Sequence, residues 1–271
     1  MLTFSSCKIN LGLNIINKRP DGFHSIETIF YPIDFIQDAI EIISHSKSKD
    51  YYHFTGLKMD CKENENLCVK TINLLRQHYR FPFISLYLHK TIPMGAGLGG
   101  GSANAASIIN LVNNKYCLNI SEENRRKLAS QVGSDCAFFI QPIPSFGEGK
   151  GEILSKIELS LSAYHLVIVK PPIHISTAWA YKNAIPQSGR ETLKKLILNN
   201  GISNWKNVLQ NDFETGVFKE YPEIAKIKET LYTSGAIYAQ MSGSGSAVFG
   251  IFDTETEIAF PNEYKILWGQ I

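Results

Sequence analysis

The stretch "PMGAGLGGGSANAA", residues 93–106, holds five glycines between positions 95 and 101 and then a run of small residues. Glycine in an ordered element costs about 0.5–1 kcal/mol relative to alanine, so so much bare backbone needs a reason. Before it, "FISLYLHK" (83–90) alternates Ile84, Leu86 and Leu88 with other side chains, a strand pattern. After it, "SANAASIINLVNNKY" reads as a helix. A strand that runs through glycines into a helix is a design for binding an anion. Bare backbone lets a phosphate approach, and the free N–H groups and the helix dipole favour its charge. A tight turn chosen for packing would explain one or two glycines, not five in seven residues. On this reading Ser102 could cap the helix, touch phosphate or hold a phosphate-bound metal, and a side chain at Gly97 would fill the phosphate site.

Several nucleotide loops fit poorly. Gly95, Gly97 and Gly100 satisfy G-x-G-x-x-G, but no parallel strand ending in an acidic residue follows, so a dinucleotide fold is a weak alternative. A Walker A loop needs Lys before the Ser, where Gly101 stands.

Working outward, "NKRPDGFH" carries Pro-Asp-Gly turn chemistry between β-forming runs at 2–16 and 25–33. Short strands are expected at 38–44 and 51–57, and a helix over 66–80. "SEENRRKLASQVGSD" predicts a helix capped by Ser121 and closed by Gly133. A strand at 164–172 is followed by helices at 176–184, 190–200 and 222–233. Residues 235–253 read as strand, small-residue turn, strand. Strands and helices mix without regular alternation, which favours an α+β fold in two lobes, 1–155 and 156–271.

Composition agrees with a globular chain. Of 271 residues 44 % are hydrophobic and 19 % charged, and the net charge of +2 demands neither nucleic acid nor an anionic membrane. No apolar run reaches the roughly 20 residues of a bilayer span, and residues 1–10 lack the pattern of a secretory signal, so a cytoplasmic protein is expected. The five scattered cysteines suggest neither disulfides nor zinc, and are expected to be buried free thiols.

The loop resembles the phosphate loop of the GHMP small-molecule kinases. "SCKINLGLNI" (6–15) and "QMSGSGSAVFGIF" (240–252) resemble that family's other two motifs, in the same order along the chain. The resemblance implies the two-lobed GHMP kinase fold, with an N-terminal α+β lobe, a ferredoxin-like C-terminal lobe and the active site in the cleft between them. It implies ATP with Mg²⁺ as cofactors and a small-molecule alcohol as acceptor. It assigns Asp135 as the group that accepts the alcohol proton, and Lys8 as the group that holds the aspartate and the hydroxyl. Asn66, Leu67, Lys90, Met94, Gly95, Gly97, Leu98, Gly99, Gly100, Gly101, Ser102 and Ala103 match its nucleotide side. No acidic metal ligand can be named; Ser102 is the one candidate.

"RPDGFHSIETIF" (19–30) and "ENENLCVKTINLL" (63–75) are similar to members whose acceptor is an alcohol linked to cytidine diphosphate, on the route to isoprenoid precursors. By that likeness Asn10, Phe23, His24, Thr177 and Tyr181 bind the acceptor. On that likeness cytosine is expected to lie between the rings of Phe23 and Tyr181, with His24 on its edge. Two positions depart from the family: Cys136-Ala137 stands where Val-Pro is usual, and Phe23 where Tyr is common. Another GHMP kinase, of homoserine or mevalonate type, or a non-catalytic nucleotide-binding regulator on the same fold, remain the alternatives.

Overall fold

A computed structural model describes residues 1–59 and 61–271. By compactness the chain forms two units, and neither is one continuous stretch. The first comprises Met1–Cys7, Ile36–Met94 and Gly99–Pro142; the second comprises Lys8–Phe35, Gly95–Leu98 and Ile143–Ile271. Two long strands, β1 (Leu2–Lys18) and β2 (His24–Ser44), and the glycine-rich stretch contribute residues to both. The expected strands at 25–33 and 38–44 are therefore one continuous strand. The turn before it forms as its residues dictate: Gly22 has φ +84°, and the Phe23 N–H donates to Asp21 Oδ1 at 3.1 Å.

In the first unit β2 pairs antiparallel with β4 (Ile84–Lys90), and β4 pairs parallel with β3 (Tyr51–Gly56). Ile40 and Ile42 on β2 and Ile84, Leu86 and Leu88 on β4 are buried at alternate positions, the period of a sheet with one face in the core. Three helices belong here: α1 (Leu67–His78), α2 (Gly100–Lys115) and α3 (Glu122–Val132). They pack on one another, and α2 buries Ala103, Ala105, Ala106, Ile108, Ile109 and Val112. Truncating Ile108 or Ile109 to alanine would cost about 2–5 kcal/mol. Arg76 of α1 grips Asp50 through Nε and Nη2, both at 2.6 Å, and Asp50 Oδ1 also accepts the Ile84 N–H, so one carboxylate joins α1 to β4. Ser121 caps α3 as expected, accepting the Asn124 N–H. Gly133 closes it as expected, its N–H donating to the Ala129 carbonyl at 3.2 Å, but its φ of −177° is ordinary extended backbone rather than a left-handed turn. A 3-10 helix, Ser134–Ile140, follows.

In the second unit the early part of β2 pairs with β5 (Ser145–Glu148), and β5 with β6 (Ile153–Lys156). A separate antiparallel sheet contains β7 (His165–Lys170), β8 (Tyr238–Met241), β9 (Val248–Phe252) and β10 (Lys265–Gln270) in the order β10-β7-β9-β8. That is the expected ferredoxin-like order. Between β7 and β8 run α4 (Thr177–Asn183), α5 (Leu193–Asn199), α6 (Trp205–Val208), α7 (Phe213–Glu220) and α8 (Pro222–Thr233). The second crossover, 253–264, has no helix. Val167, Val169 and Val248 of the sheet meet Ile224, Ile227 and Leu231 of α8 in the core.

Candidate active site

In the first unit the site begins at the start of α2. Gly99 is its N-cap, in the left-handed region at φ +70°, and offers no side-chain cap. The first intrahelical bond is Ala103 N–H to the Gly99 carbonyl, at 2.9 Å. The N–H groups of Gly100, Gly101 and Ser102 therefore have no partner within the helix. Among the described α-helices of eight residues or more, α2 alone has neither a side-chain cap nor an acidic residue in its first turn. Such an end suits a phosphate, which supplies the missing acceptors and the missing negative charge.

Leu67 opens α1 and places its Cδ1 3.5 Å from where a Cβ on Gly101 would stand. Asn66 caps α1, its Oδ1 accepting the Cys68 N–H at 2.8 Å. Two residues expected on the nucleotide side bring their glycine-loop position but not their side chains: Leu98 and Ala103 are core. Met94 is exposed. Ser102 does not cap α2; it is the third helical residue, and its hydroxyl lies beside the Cys136 thiol. Burial pushes that thiol up to about 12, so it stays protonated. Asp135, half-buried, lies in the first turn of the 3-10 helix directly before Cys136. Ala137 is buried where proline is usual in the family.

Lys90, expected beside the nucleotide, has a buried partner within the protein. It is 2 % exposed, and its Nζ pairs with Asp38 Oδ2. Asp38 was not foreseen, although its position could have shown it. It shares the inward parity of Ile40 and Ile42, and an acid on a core-facing position must be paired. The cysteines also correct expectation in part: Cys7, Cys68 and Cys136 are buried, Cys61 and Cys117 exposed.

In the second unit a different cluster gathers on β1. Lys8 is not a solvent-facing strand residue; it is 2 % exposed and donates to Asn10 Oδ1 and, at 2.7 Å, to the Gly97 carbonyl. Its own N–H donates to the Leu98 carbonyl at 3.0 Å. Asn10 Nδ2 donates to Thr28 Oγ1 at 2.9 Å, and Thr28 Oγ1 to the Gly12 carbonyl at 2.7 Å. Gly97 has a packing reason to be bare. At φ +76° its absent Cβ would lie 1.8 Å from the Ser242 carbonyl oxygen. Its bareness lets the turn between β8 and β9 come close, and Ser242 Oγ donates to the Gly97 carbonyl at 2.9 Å. Gly95, at φ +59°, is overlain by the His174 ring.

The residues expected to bind the acceptor also lie in this unit. His24 stacks on Tyr181, with ring centroids 4.9 Å apart, and Tyr181 meets Phe213 edge-on. Partial burial and the Lys18 charge hold the His24 imidazole below its ordinary value, so it is neutral at pH 7. Phe23 is 55 % exposed, with Lys150 Nζ 4.7 Å from its ring centre. It is His24, rather than Phe23, that covers Tyr181. Thr177 opens α4, its hydroxyl 3.2 Å from that of Ser244. Among the described residues no three His, Cys, Asp or Glu side chains gather as a metal site, and no helix is long and apolar enough to cross a membrane.

Comparison with known proteins gives the family. Residues 66–141 match the GHMP kinases N terminal domain and 184–260 the GHMP kinases C terminal. The 4-diphosphocytidyl-2-C-methyl-D-erythritol kinase of Bacteroides fragilis is 49 % identical over 260 residues, covering 95 % of this chain and 94 % of that protein. The enzyme of the same name from Parabacteroides distasonis is 45 % identical and covers 100 % of both chains. A crystal structure of 4-(cytidine 5'-diphospho)-2C-methyl-D-erythritol kinase superposes with a TM-score of 0.75 at 28 % identity, over 93 % of this chain and 90 % of the other. With relatives this similar along nearly its whole length, the chain belongs to the GHMP kinase family, among the 4-diphosphocytidyl-2-C-methyl-D-erythritol kinases.

Proposed function

We infer that the chain transfers the γ-phosphoryl group of ATP to the 2-hydroxyl of 4-diphosphocytidyl-2-C-methyl-D-erythritol, on the non-mevalonate route to isoprenoid precursors, in the cytoplasm. The observation that carries this reading is the near-full-length identity to enzymes of that name. A division near residue 155 leaves one family match on each side of it.

Phosphoryl transfer is mostly positioning and charge neutralisation. The uncapped start of α2 supplies N–H groups for the phosphates. Mg²⁺ accompanies the nucleotide and neutralises phosphate charge when bound, with the Ser102 hydroxyl as the candidate contact. Asp135 accepts the proton of the acceptor hydroxyl. A carboxylate is a weak base, but in a loose transition state the hydroxyl becomes acidic only as its bond to phosphorus forms, so a weak base suffices. Lys8, fixed by Asn10 and the Gly97 carbonyl, holds a positive charge for the reacting oxygens.

The acceptor's cytosine stacks on Tyr181, with Phe23 on its other face and His24 at its edge. The direct His24–Tyr181 stack supports part of this: Tyr181 presents a ring face that a flat neutral partner already uses. Cytosine would take that face and His24 would move to the edge.

The test is ADP release with ATP, Mg²⁺ and, in turn, 4-diphosphocytidyl-2-C-methyl-D-erythritol, homoserine, mevalonate and galactose. Turnover is expected with the first alone; turnover with another sinks the assignment. With Tyr181→Ala, the acceptor KM should rise roughly 5- to 150-fold, the range of base stacking on an aromatic, while the ATP KM holds. Equal loss for both substrates would remove the stack.

A further inference from the structure

We propose that Asp38 is a positioning residue for ATP, pinning both flanks of the glycine-rich stretch, and that Lys90 serves as its counter-charge. This rests on the reading that the start of α2 takes the nucleotide phosphates.

Asp38 is fully buried on β2. Its Oδ1 accepts the backbone N–H of Thr91 at 2.7 Å and of Ile92 at 2.9 Å. Its Oδ2 accepts Lys90 Nζ and, at 2.9 Å, Asn104 Nδ2. Thr91 and Ile92 are the chain leaving β4 toward the glycines, and Asn104 is in the first turns of α2 beyond them. One carboxylate on β2 thus fixes the point where the chain enters the loop and the helix it enters. The glycines between have little stiffness of their own, so these two anchors help set where the N–H groups of Gly100–Ser102 point.

A lone carboxylate here would oppose a phosphate at the same helix end. Lys90 cancels it. Its Nζ lies 2.9 Å from where a Cβ on Gly100 would stand, directly against the first residue of the helix. A buried ion pair is a poor way to gain stability, since an apolar pair of similar volume often does as well. An apolar pair could not accept two backbone N–H groups and an amide at once. That capacity is what the loop requires, and it accounts for a buried charge pair at this place.

Asn104→Ala removes one anchor and leaves the ion pair intact; Asp38→Asn weakens all of them. ATP Kd is measured by calorimetry, ATP and acceptor KM by ADP release, and Tm by thermal melting. Asn104→Ala should weaken ATP binding about 10-fold, the lower end of what supporting residues contribute at other sites, and Asp38→Asn by more. The acceptor KM should stay within about twofold in both. If Asp38→Asn does not fold, Asn104→Ala decides. ATP affinity equal to wild type in a folded Asn104→Ala overturns the proposal. So does parallel weakening of both substrates, which marks general loosening. If the wild-type protein itself binds no ATP, the reading of α2 falls, and the role of Asp38 with it.

Discussion

The two halves of the glycine-rich stretch look alike on paper and are built for different tasks. The leading half, Gly95–Leu98, is occupied with its own protein. Gly97 is bare because the Ser242 carbonyl presses on it, its carbonyl accepts from Lys8 and Ser242, and Gly95 lies under His174. The trailing half, Gly99–Ser102, turns its N–H groups to no protein acceptor within the helix. Gly100 is pressed by Ile92 and Lys90, but Gly101 meets only Leu67, at ordinary contact distance. Glycine thus has two meanings within seven residues. In the leading half it is demanded by packing, and in the trailing half, at Gly101, nothing in the protein demands it.

The sharpest way to break this division is to remove the chemistry and ask whether binding survives. Asp135→Asn should lower kcat by about 100-fold or more, the scale of general acid–base groups, and leave ATP Kd within about twofold. Steady-state rates and calorimetry check both. A near-normal kcat would end the proton-acceptor role. Loss of ATP affinity as well would show that the segment after Gly133 supports the trailing half, through the contact of Cys136 with Ser102.

The leading half is tested by Gly97→Ala. A methyl group there must displace the Ser242 carbonyl, at 1.8 Å, and must also accept a positive φ. Overpacking costs about 1–3 kcal/mol and the left-handed backbone about 1–2 more. The expected result is a fall in Tm of roughly 10 °C, from about 2–4 °C per kcal/mol in a domain of this size. Because the carbonyl of Gly97 itself accepts from Lys8, kcat should fall along with stability. A variant that melts like wild type but no longer binds ATP would return Gly97 to a phosphate-facing role.

This contrast also marks what the sequence could reveal. The order strand, glycines, helix was legible, because period-2 and period-3.6 patterns and the Pro-Asp-Gly turn are local. So were Lys8, Asp135 and the acceptor-side aromatics as candidates, since their motifs are local too. Lys90 was read by its motif as a nucleotide contact, but its partner, Asp38, lies 52 positions away. Gly97 likewise answers to Ser242, 145 positions away. Residues whose reason is a distant partner keep their type in the sequence and lose their explanation. Gly133 is a different case: it ends α3 as its position suggests, yet its backbone is extended rather than left-handed. A Cβ there would stand 3.2 Å from Cys136 Sγ, so close approach, not φ, accounts for it.

The smallest predicted effect isolates the trailing half most cleanly. Gly101 lies inside α2 with ordinary helical backbone, and a Cβ on it would find only Leu67 Cδ1, at 3.5 Å. Glycine in a helix is worse than alanine by about 0.5–1 kcal/mol, and here no packing or φ offsets that cost. Gly101→Ala should therefore stabilise the ligand-free protein by about that amount, a rise in Tm of roughly 1–4 °C. If the glycine is kept for a phosphate, the same methyl group stands where the phosphate approaches the N–H groups, and ATP Kd should rise about 10-fold, or about 1.4 kcal/mol. The two readouts move in opposite directions, which a merely structural glycine cannot do. A variant more stable than wild type that binds ATP equally well would leave the anion reading to the helix end alone. A less stable variant would mean that Gly101, like Gly97, is bare for the sake of its own protein.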